Sequence, residues 1–156
     1  MKILELYLET SIWNFYFADD APEKQAITRQ FFDNLDGYNI FISHIVSKEI
    51  AKAPDKKREL LLNLIESYQP QELEVTHDVL NLAKKYLDEG VLPAKSFYDA
   101  IHAAVATIYE LDALISWNLK HLASLRRMEQ INGVNLKEGY SKKLELITPM
   151  EVSDEI

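Results

Sequence analysis

The chain has 156 residues, a length that fits one globular domain and leaves little room for two. It contains no cysteine, which excludes disulfide frameworks, thiol catalysis and metal sites built on cysteine. A formal net charge of −8 argues against nucleic-acid binding through a generally basic surface, but it is compatible with an acidic site that holds a cation.

Short apolar runs bounded by turn residues alternate with segments of helical periodicity. In chain order the predicted elements are a strand at 3–8, helices at 10–17 and 23–35, a strand at 39–42, helices at 43–53 and 55–68, a weaker strand at 73–75, helices at 76–87 and 97–111, a strand at 113–116, a helix at 119–131 and a strand at 144–147. Strands separated by helices indicate crossover connections. The sequence therefore predicts an α/β fold of three layers, α/β/α, with a central parallel sheet of four to five strands.

The ends of the chain carry few structural signals. We expect residues 1–150 to form a single domain and residues 151–156 to form a disordered tail. The first strand begins directly after Met1, without the basic and apolar segments of a secretory signal, and no apolar run approaches the ~20 residues that span a bilayer. The sequence therefore predicts a cytoplasmic protein.

Acidic residues that are distant in sequence fall at one edge of the predicted sheet. Glu9 follows the first strand, Glu49 lies in the second turn of the helix after the second strand, and Asp99 lies near the start of a later crossover helix. The carboxyl ends of parallel strands and the N-termini of crossover helices share one rim. Asn118, two residues after Ser116 at the end of a strand, reaches the same rim.

The chemistry of such a cluster favours a divalent cation. Three carboxylates at close range repel one another unless a cation neutralises them. Mg²⁺ and Mn²⁺ prefer oxygen ligands, and either ion can lower the pKa of a bound water and stabilise charge on a phosphoryl oxygen. The hydroxyls of Thr10, Ser11 and Ser116 are placed to hydrogen-bond the carboxylates or the water. Each acid alone would more often be a solvated surface charge, so the prediction depends on the shared rim.

Four segments of the chain resemble the motifs of the PIN domain family. Residues 7–12 resemble its opening, in which an acid followed by Thr or Ser ends the first strand, and residues 43–49 resemble the second motif, with its acid on a helix. Residues 98–106 are similar to the third motif, an Asp followed by an Ile-His pair and small residues, and residues 114–118 are similar to the fourth. The resemblance spans residues 3–149.

The resemblance implies a Mg²⁺- or Mn²⁺-dependent endoribonuclease that hydrolyses RNA phosphodiester bonds. It also implies a VapC-like toxin of a type II toxin–antitoxin pair, with an antitoxin protein as its partner. By position, Glu9, Glu49 and Asp99 are the implied metal ligands, and Asn118 completes the catalytic set. Two positions depart from the family pattern. The family's first acid is usually Asp, and Glu9 is one methylene longer than Asp. Its fourth acid is often Asp, whereas Asn118 is neutral.

Basic residues near the rim and an excess of apolar residues suggest contacts with other molecules. Three lysines are candidates for binding the RNA backbone, although each also suits a solvated helix face. They are Lys48, Lys52 and Lys120. Apolar residues at 31–32 and 60–65 exceed what one helix face buries, which predicts a homodimer or an antitoxin groove. His102 is expected to be packed or hydrogen-bonded near its helix.

Two other functions remain open from the sequence. One is a PIN-like binding module that is catalytically weak or inactive and acts through a protein partner, an alternative motivated by Glu9 and Asn118. The other is a structure-selective DNA nuclease that uses the same metals. Binding of Mn²⁺ separates an enzyme from an inactive module, and a panel of RNA, single-stranded DNA and flap substrates separates the two nucleases.

Overall fold

The computed structural model describes residues 2–154, which form a parallel β-sheet flanked by α-helices. The strands are β1 (Glu5–Leu8), β2 (Asn39–Ser43), β3 (Gln71–Leu73), β4 (Ala113–Ile115) and β5 (Glu145–Ile147). The helices are α1 (Thr10–Phe15), α2 (Pro22–Asp33), α3 (His44–Ile50), α4 (Asp55–Tyr68), α5 (His77–Asp88), α6 (Phe97–Ile108), α7 (Leu125–Lys137) and α8 (Pro149–Asp154). The predicted α/β fold with a parallel sheet is confirmed, and the sheet has five strands.

The strand order places β1 at the centre of the sheet. The order is β3–β2–β1–β4–β5, and the register aligns Tyr7 with Phe41 on one side and with Leu114 on the other. The chain moves from β1 to β2 and β3, and then crosses back to the opposite side for β4 and β5. Ligands in open α/β sheets bind at the carboxyl ends of the strands where the direction reverses. The end of β1 occupies that position.

The helices cover both faces of the sheet. Helix α5 packs against α6 and α7, whereas α1 packs against α2, α3 and α4. Because parallel crossovers are right-handed, connections that run in opposite directions along the sheet put their helices on opposite faces. Strand β4 and residues 6–8 of β1 are consequently buried, as strands covered on both faces must be.

Several element boundaries differ from those predicted. Helix α7 begins at Leu125 rather than at residue 119, because the side chain of Ser124 accepts a hydrogen bond from the backbone of Arg127 and caps the helix there. Strand β3 ends at Leu73 instead of beginning there, because Leu73 is the residue that pairs with Ser43 and is buried.

The C-terminal segment is more ordered than predicted over its described part. Residues 149–154 form α8, a helix that was not predicted from the sequence, and Val152 is only 3% exposed. Helix α8 packs against α2. Residues 151–154 of the predicted tail are therefore helical, and residues 155 and 156 lie outside the described residues. Between residues 2 and 154 no helix is both long and apolar enough to cross a membrane.

Asp112 joins the amino ends of the central strands. Its Oδ2 accepts the backbone N–H of Glu5 at 2.8 Å, and its Oδ1 lies 2.9 Å from Lys2 Nζ and 3.0 Å from Lys142 Nζ. Partial burial alone would raise the pKa of Asp112, but the Glu5 N–H and the two lysines lower this pKa to about 2. The ionised carboxylate therefore stabilises the folded chain.

We expect Asp112→Asn to lower the free energy of unfolding by about 1–2 kcal/mol near neutral pH. The folded-state pKa lies below the unfolded value of about 3.9, so the stabilisation is present above about pH 4 and is lost as the pH falls toward 2. Urea unfolding of both proteins from neutral to acid pH measures the difference. Asp88→Asn, at an exposed aspartate, is the matched control; equal stability of Asp112→Asn and wild type at neutral pH would contradict this role.

Candidate metal centre

Glu9 begins the site at the end of the central strand. Its backbone N–H donates to the carbonyl of Ile115 at 3.1 Å, which extends the β1–β4 ladder by one residue and holds Glu9 at the sheet edge. The residue is only 5% exposed. A carboxylate buried to this degree needs hydrogen-bond donors or a cation.

Two serines supply the donors. The hydroxyls of Ser11 and Ser116 both donate to Oε1 of Glu9, at 2.5 and 2.7 Å. Ser11 Oγ accepts the backbone N–H of Trp117 at 2.8 Å, and Ser116 Oγ accepts that of Asn118 at 2.9 Å. Because each serine oxygen already accepts a backbone N–H, its own hydrogen is directed at Glu9. The chain after β4 therefore orients the acid that follows β1.

Glu49 is held in a similar way from helix α3. Its Oε1 accepts the hydroxyl of Thr10 at 2.6 Å and lies 2.7 Å from Nε2 of His102. Partial burial alone would raise the pKa of Glu49, but the contacts with His102 and Thr10 and the charge of Lys52 lower it below its usual value. The side chain is 26% exposed, so one side of the carboxylate faces the surface.

Asp99 projects from the first turn of α6 and contacts Asn118. The Asn118 amide donates to Oδ2 of Asp99 at 3.3 Å, and its carbonyl oxygen accepts the backbone N–H of His121 at 3.1 Å. Burial raises the pKa of Asp99 to about 6, and the charges of Glu9 and Glu49 add to the effect. Ionisation of Asp99 is therefore opposed by its burial and by the charges of the other two acids.

Each of the three carboxylates has one oxygen that no residue within 2–154 hydrogen-bonds. These oxygens are Oε2 of Glu9, Oε2 of Glu49 and Oδ1 of Asp99. Carboxylate oxygens are the ligands that Mg²⁺ and Mn²⁺ prefer, and donors on the second oxygen of each group fix its orientation. The residues therefore fit a hard divalent cation. Asn118 uses its amide oxygen on His121, so it orients Asp99.

The closest group of potential ligand atoms in the described chain includes a histidine. Atoms of Glu9, Glu49 and His102 all lie within 4.8 Å of one another, and Asp99 is not among the three. His102 is fully buried and hydrogen-bonded, as expected from the sequence, but its partner is Glu49 itself. Full burial disfavours the protonated imidazole and alone would lower the pKa of His102. Contact with Glu49 and the charges of the surrounding acids nevertheless raise this pKa above its usual value.

Tyr7 and Ser43 connect to the site from the core, and neither was predicted as a site residue from the sequence. The Tyr7 hydroxyl lies 2.6 Å from Nδ1 of His102 and 2.8 Å from Ser43 Oγ. Tyr7 lies in an apolar strand pattern, so it was assigned to the core. A tyrosine in a strand that is buried on both faces needs a hydrogen-bond partner for its hydroxyl, and this requirement could have indicated a buried polar contact.

The three lysines proposed to bind RNA are exposed. Lys52 Nζ lies 4.7 Å from the ring centroid of Tyr98 and 3.4 Å from its hydroxyl. Tyr98 lines an open cleft together with Glu49 and Asp99. Lys52 is therefore next to the mouth of the candidate centre, whereas Lys48 and Lys120 lie on the segments that carry Glu49 and Asn118.

Comparisons with known proteins agree with this architecture. The family model for the PIN domain matches residues 6–123. A toxin–antitoxin complex from Klebsiella pneumoniae is similar with a TM-score of 0.58 and 19% identity, over 78% of this chain and 93% of that chain. VapBC2 from Rickettsia felis, bound to a DNA fragment from its promoter, is similar with a TM-score of 0.54 and 16% identity, over 91% of this chain and 98% of that chain. No curated protein sequence matches significantly.

The structural similarities establish a shared fold, and the family match extends from β1 through the acids on α3 and α6 to the turn after β4. The chain therefore belongs to the PIN domain family, whose members are generally nucleases.

Proposed function

We propose that this protein is a metal-dependent endoribonuclease that hydrolyses RNA phosphodiester bonds, with Mg²⁺ or Mn²⁺ held by Glu9, Glu49 and Asp99. The observation that carries the proposal is that each carboxylate has one oxygen fixed by protein donors and one left free. The cation, when bound, supplies Lewis acidity that activates water and stabilises charge on the phosphoryl oxygens.

The chain's own residues would orient the ligands and hold the substrate. Ser11 and Ser116 direct Glu9, Thr10 directs Glu49, and Asn118 directs Asp99. We assign Asn118 to the catalytic set in this orienting role. Backbone phosphates would be bound by the exposed ammonium groups near the acids, a contact that carries no sequence information. These groups belong to Lys48, Lys52 and Lys120.

We further propose that the protein is the toxin of a type II toxin–antitoxin pair. The shared fold with two toxin–antitoxin proteins supports this assignment. Of the apolar residues that predicted a partner, Phe31 and Phe32 are buried in the core, but Leu60 and Leu62 on α4 remain 42% and 49% exposed. Covering such side chains with an antitoxin segment or a second copy of the chain would remove them from water.

A second candidate is a catalytically weak or inactive binding module that acts through a protein partner. The observation that favours it is the neutral Asn118, whose amide bonds Asp99 and His121 and supplies no fourth negative charge. A module of this kind would not respond to Mn²⁺, whereas the proposed enzyme requires the ion. The predictions below separate the two functions.

We expect Asp99→Asn to reduce Mn²⁺-dependent cleavage of RNA to background, because it removes a free carboxylate oxygen and the charge that retains the ion. Cleavage of labelled RNA with and without Mn²⁺ is the measurement, with single-stranded DNA and flap substrates alongside. Asp88→Asn, on the exposed end of α5, should cleave as the wild type does. Cleavage of RNA by Asp99→Asn at the wild-type rate would contradict the proposal. Faster cleavage of DNA than of RNA by the wild type would identify DNA as the substrate instead.

The metal-free protein should gain stability from Asp99→Asn. The pKa of Asp99 is raised in the folded state to about 6, so the ionised form opposes folding above that pH. We expect the variant to be about 2 kcal/mol more stable at about pH 8, with the difference fading as the pH falls toward 4. Urea unfolding in a chelator measures this gain. Added Mn²⁺ should stabilise the wild type and not the variant; no effect of Mn²⁺ on the wild type would favour the binding module.

Production of the wild-type chain in a bacterial host should arrest growth, and production of Asp99→Asn should not. Co-production of a small protein encoded next to the toxin gene should restore growth and yield a stable complex on gel filtration. Growth arrest by the inactive variant would show that toxicity does not depend on the acids.

A further inference from the structure

A continuous chain of hydrogen-bonded side chains leads from the core to Glu49. Ser43 Oγ lies 2.8 Å from the Tyr7 hydroxyl, which lies 2.6 Å from Nδ1 of His102, and Nε2 of His102 lies 2.7 Å from Oε1 of Glu49. Ser43, Tyr7 and His102 have no exposed surface, so water does not compete for these contacts. We call this chain the Ser43–Glu49 relay.

The donors at Glu49 identify the state of the histidine nitrogen that faces it. Oε1 of Glu49 accepts the Thr10 hydroxyl at 2.6 Å as well as contacting His102 at 2.7 Å. An oxygen that receives two short contacts of this kind acts as a carboxylate, which only accepts hydrogen bonds. Nε2 of His102 therefore carries a hydrogen, and it has no lone pair to offer a cation.

The other end of the relay determines its direction. Ser43 Oγ accepts the backbone N–H of Ile45 at 3.3 Å as the N-cap of α3, which leaves the Ser43 hydrogen free for Tyr7. Tyr7 then donates to Nδ1 of His102. In the reverse direction the Ser43 hydrogen would have no acceptor among the described residues. The direction from Ser43 to Glu49 thus satisfies every group and leaves His102 neutral with its hydrogen on Nε2.

The relay also links both ends of α3 to neighbouring elements. Ser43 caps the first turn of α3 and contacts Tyr7 on β1. Glu49 lies in the next turn of α3 and contacts His102 on α6, which in turn contacts Tyr7. Asp99 lies three residues before His102 on α6, on the same side of that helix. The relay therefore sets the position of Glu49 relative to the helix that carries Asp99.

We propose that His102 is a positioning residue: it holds Oε1 of Glu49 through Nε2–H, and thereby presents Oε2 to the cation. His102 is then a donor to a ligand, although it lies among the ligand atoms. This role rests on the metal centre of the proposed function. It follows from the relay and not from the nearness of His102 to the acids alone.

Calorimetric titration with Mn²⁺ at about pH 8 tests the role. We expect His102→Leu to weaken Mn²⁺ affinity by about 10- to 100-fold, the usual effect of losing a group that orients a ligand. His102→Gln retains an N–H donor near the position of Nε2 and should bind close to the wild type. Tyr7→Phe removes the donor to Nδ1 and should fall between them.

The matched control is Tyr86→Phe. Tyr86 is also a buried tyrosine whose hydroxyl contacts two side chains, those of Thr107 and Asn135, and neither belongs to the acidic site. This variant should lose stability in the way that Tyr7→Phe does, but keep wild-type Mn²⁺ affinity. A purely structural role for the relay would affect the two variants alike.

A nitrogen NMR spectrum of the wild type gives a readout that needs no variant to fold. The relay requires the neutral tautomer with hydrogen on Nε2 of His102, and the Nδ1–H tautomer would overturn it. Wild-type Mn²⁺ affinity in His102→Leu would overturn the positioning role but would not contradict the metal centre. Failure of the wild-type protein to bind Mn²⁺ would overturn both the proposed function and this role.

Discussion

The fold brings three negatively charged side chains together at the carboxyl end of the central strand, and the chemistry of the site depends on the repulsion between them. Glu9 follows β1, Glu49 lies on α3 and Asp99 lies on α6. Hydroxyl, amide and imidazole groups hold one oxygen of each acid. These donors orient the carboxylates without neutralising them, so burial, together with the remaining repulsion from Glu9 and Glu49, raises the pKa of Asp99 to about 6. One oxygen of each carboxylate receives no hydrogen bond from the described residues. A hard cation would relieve the repulsion that the fold maintains.

Two aspartates at opposite ends of the sheet have pKa values shifted in opposite directions. At the amino end, Asp112 is matched by two lysines and a backbone N–H, and its pKa falls to about 2. At the carboxyl end, Asp99 receives a single long bond from a neutral amide. The first arrangement stabilises the fold, and the second opposes folding at neutral pH. Acids whose pKa is raised in this way are typical of functional sites, and the function that we propose for Asp99 is to bind a cation.

The sequence predicts most of the architecture because local signals and topology agree. Alternating apolar runs locate β1, β2 and β4, Ser43 and Thr76 cap their helices, and the crossover rule then brings Glu9, Glu49 and Asp99 to one rim. The relay was beyond such reasoning. Tyr7 and His102 are separated by 95 positions, and periodicity assigns both to the core without saying which hydroxyl meets which nitrogen. The turn that delays α7 was missed for a similar reason, since it depends on the side-chain oxygen of Asn118 binding the backbone of His121.

In the proposed metal centre, the three free carboxylate oxygens share one cation. A crystal structure of the Mn²⁺-bound protein, with the ion located by its anomalous scattering, is the decisive measurement. We expect an ion in contact with Oε2 of Glu9, Oε2 of Glu49 and Oδ1 of Asp99, with Nε2 of His102 still bonded to Glu49. An ion coordinated by His102, or an empty site beside ordered and separately solvated carboxylates, would contradict it.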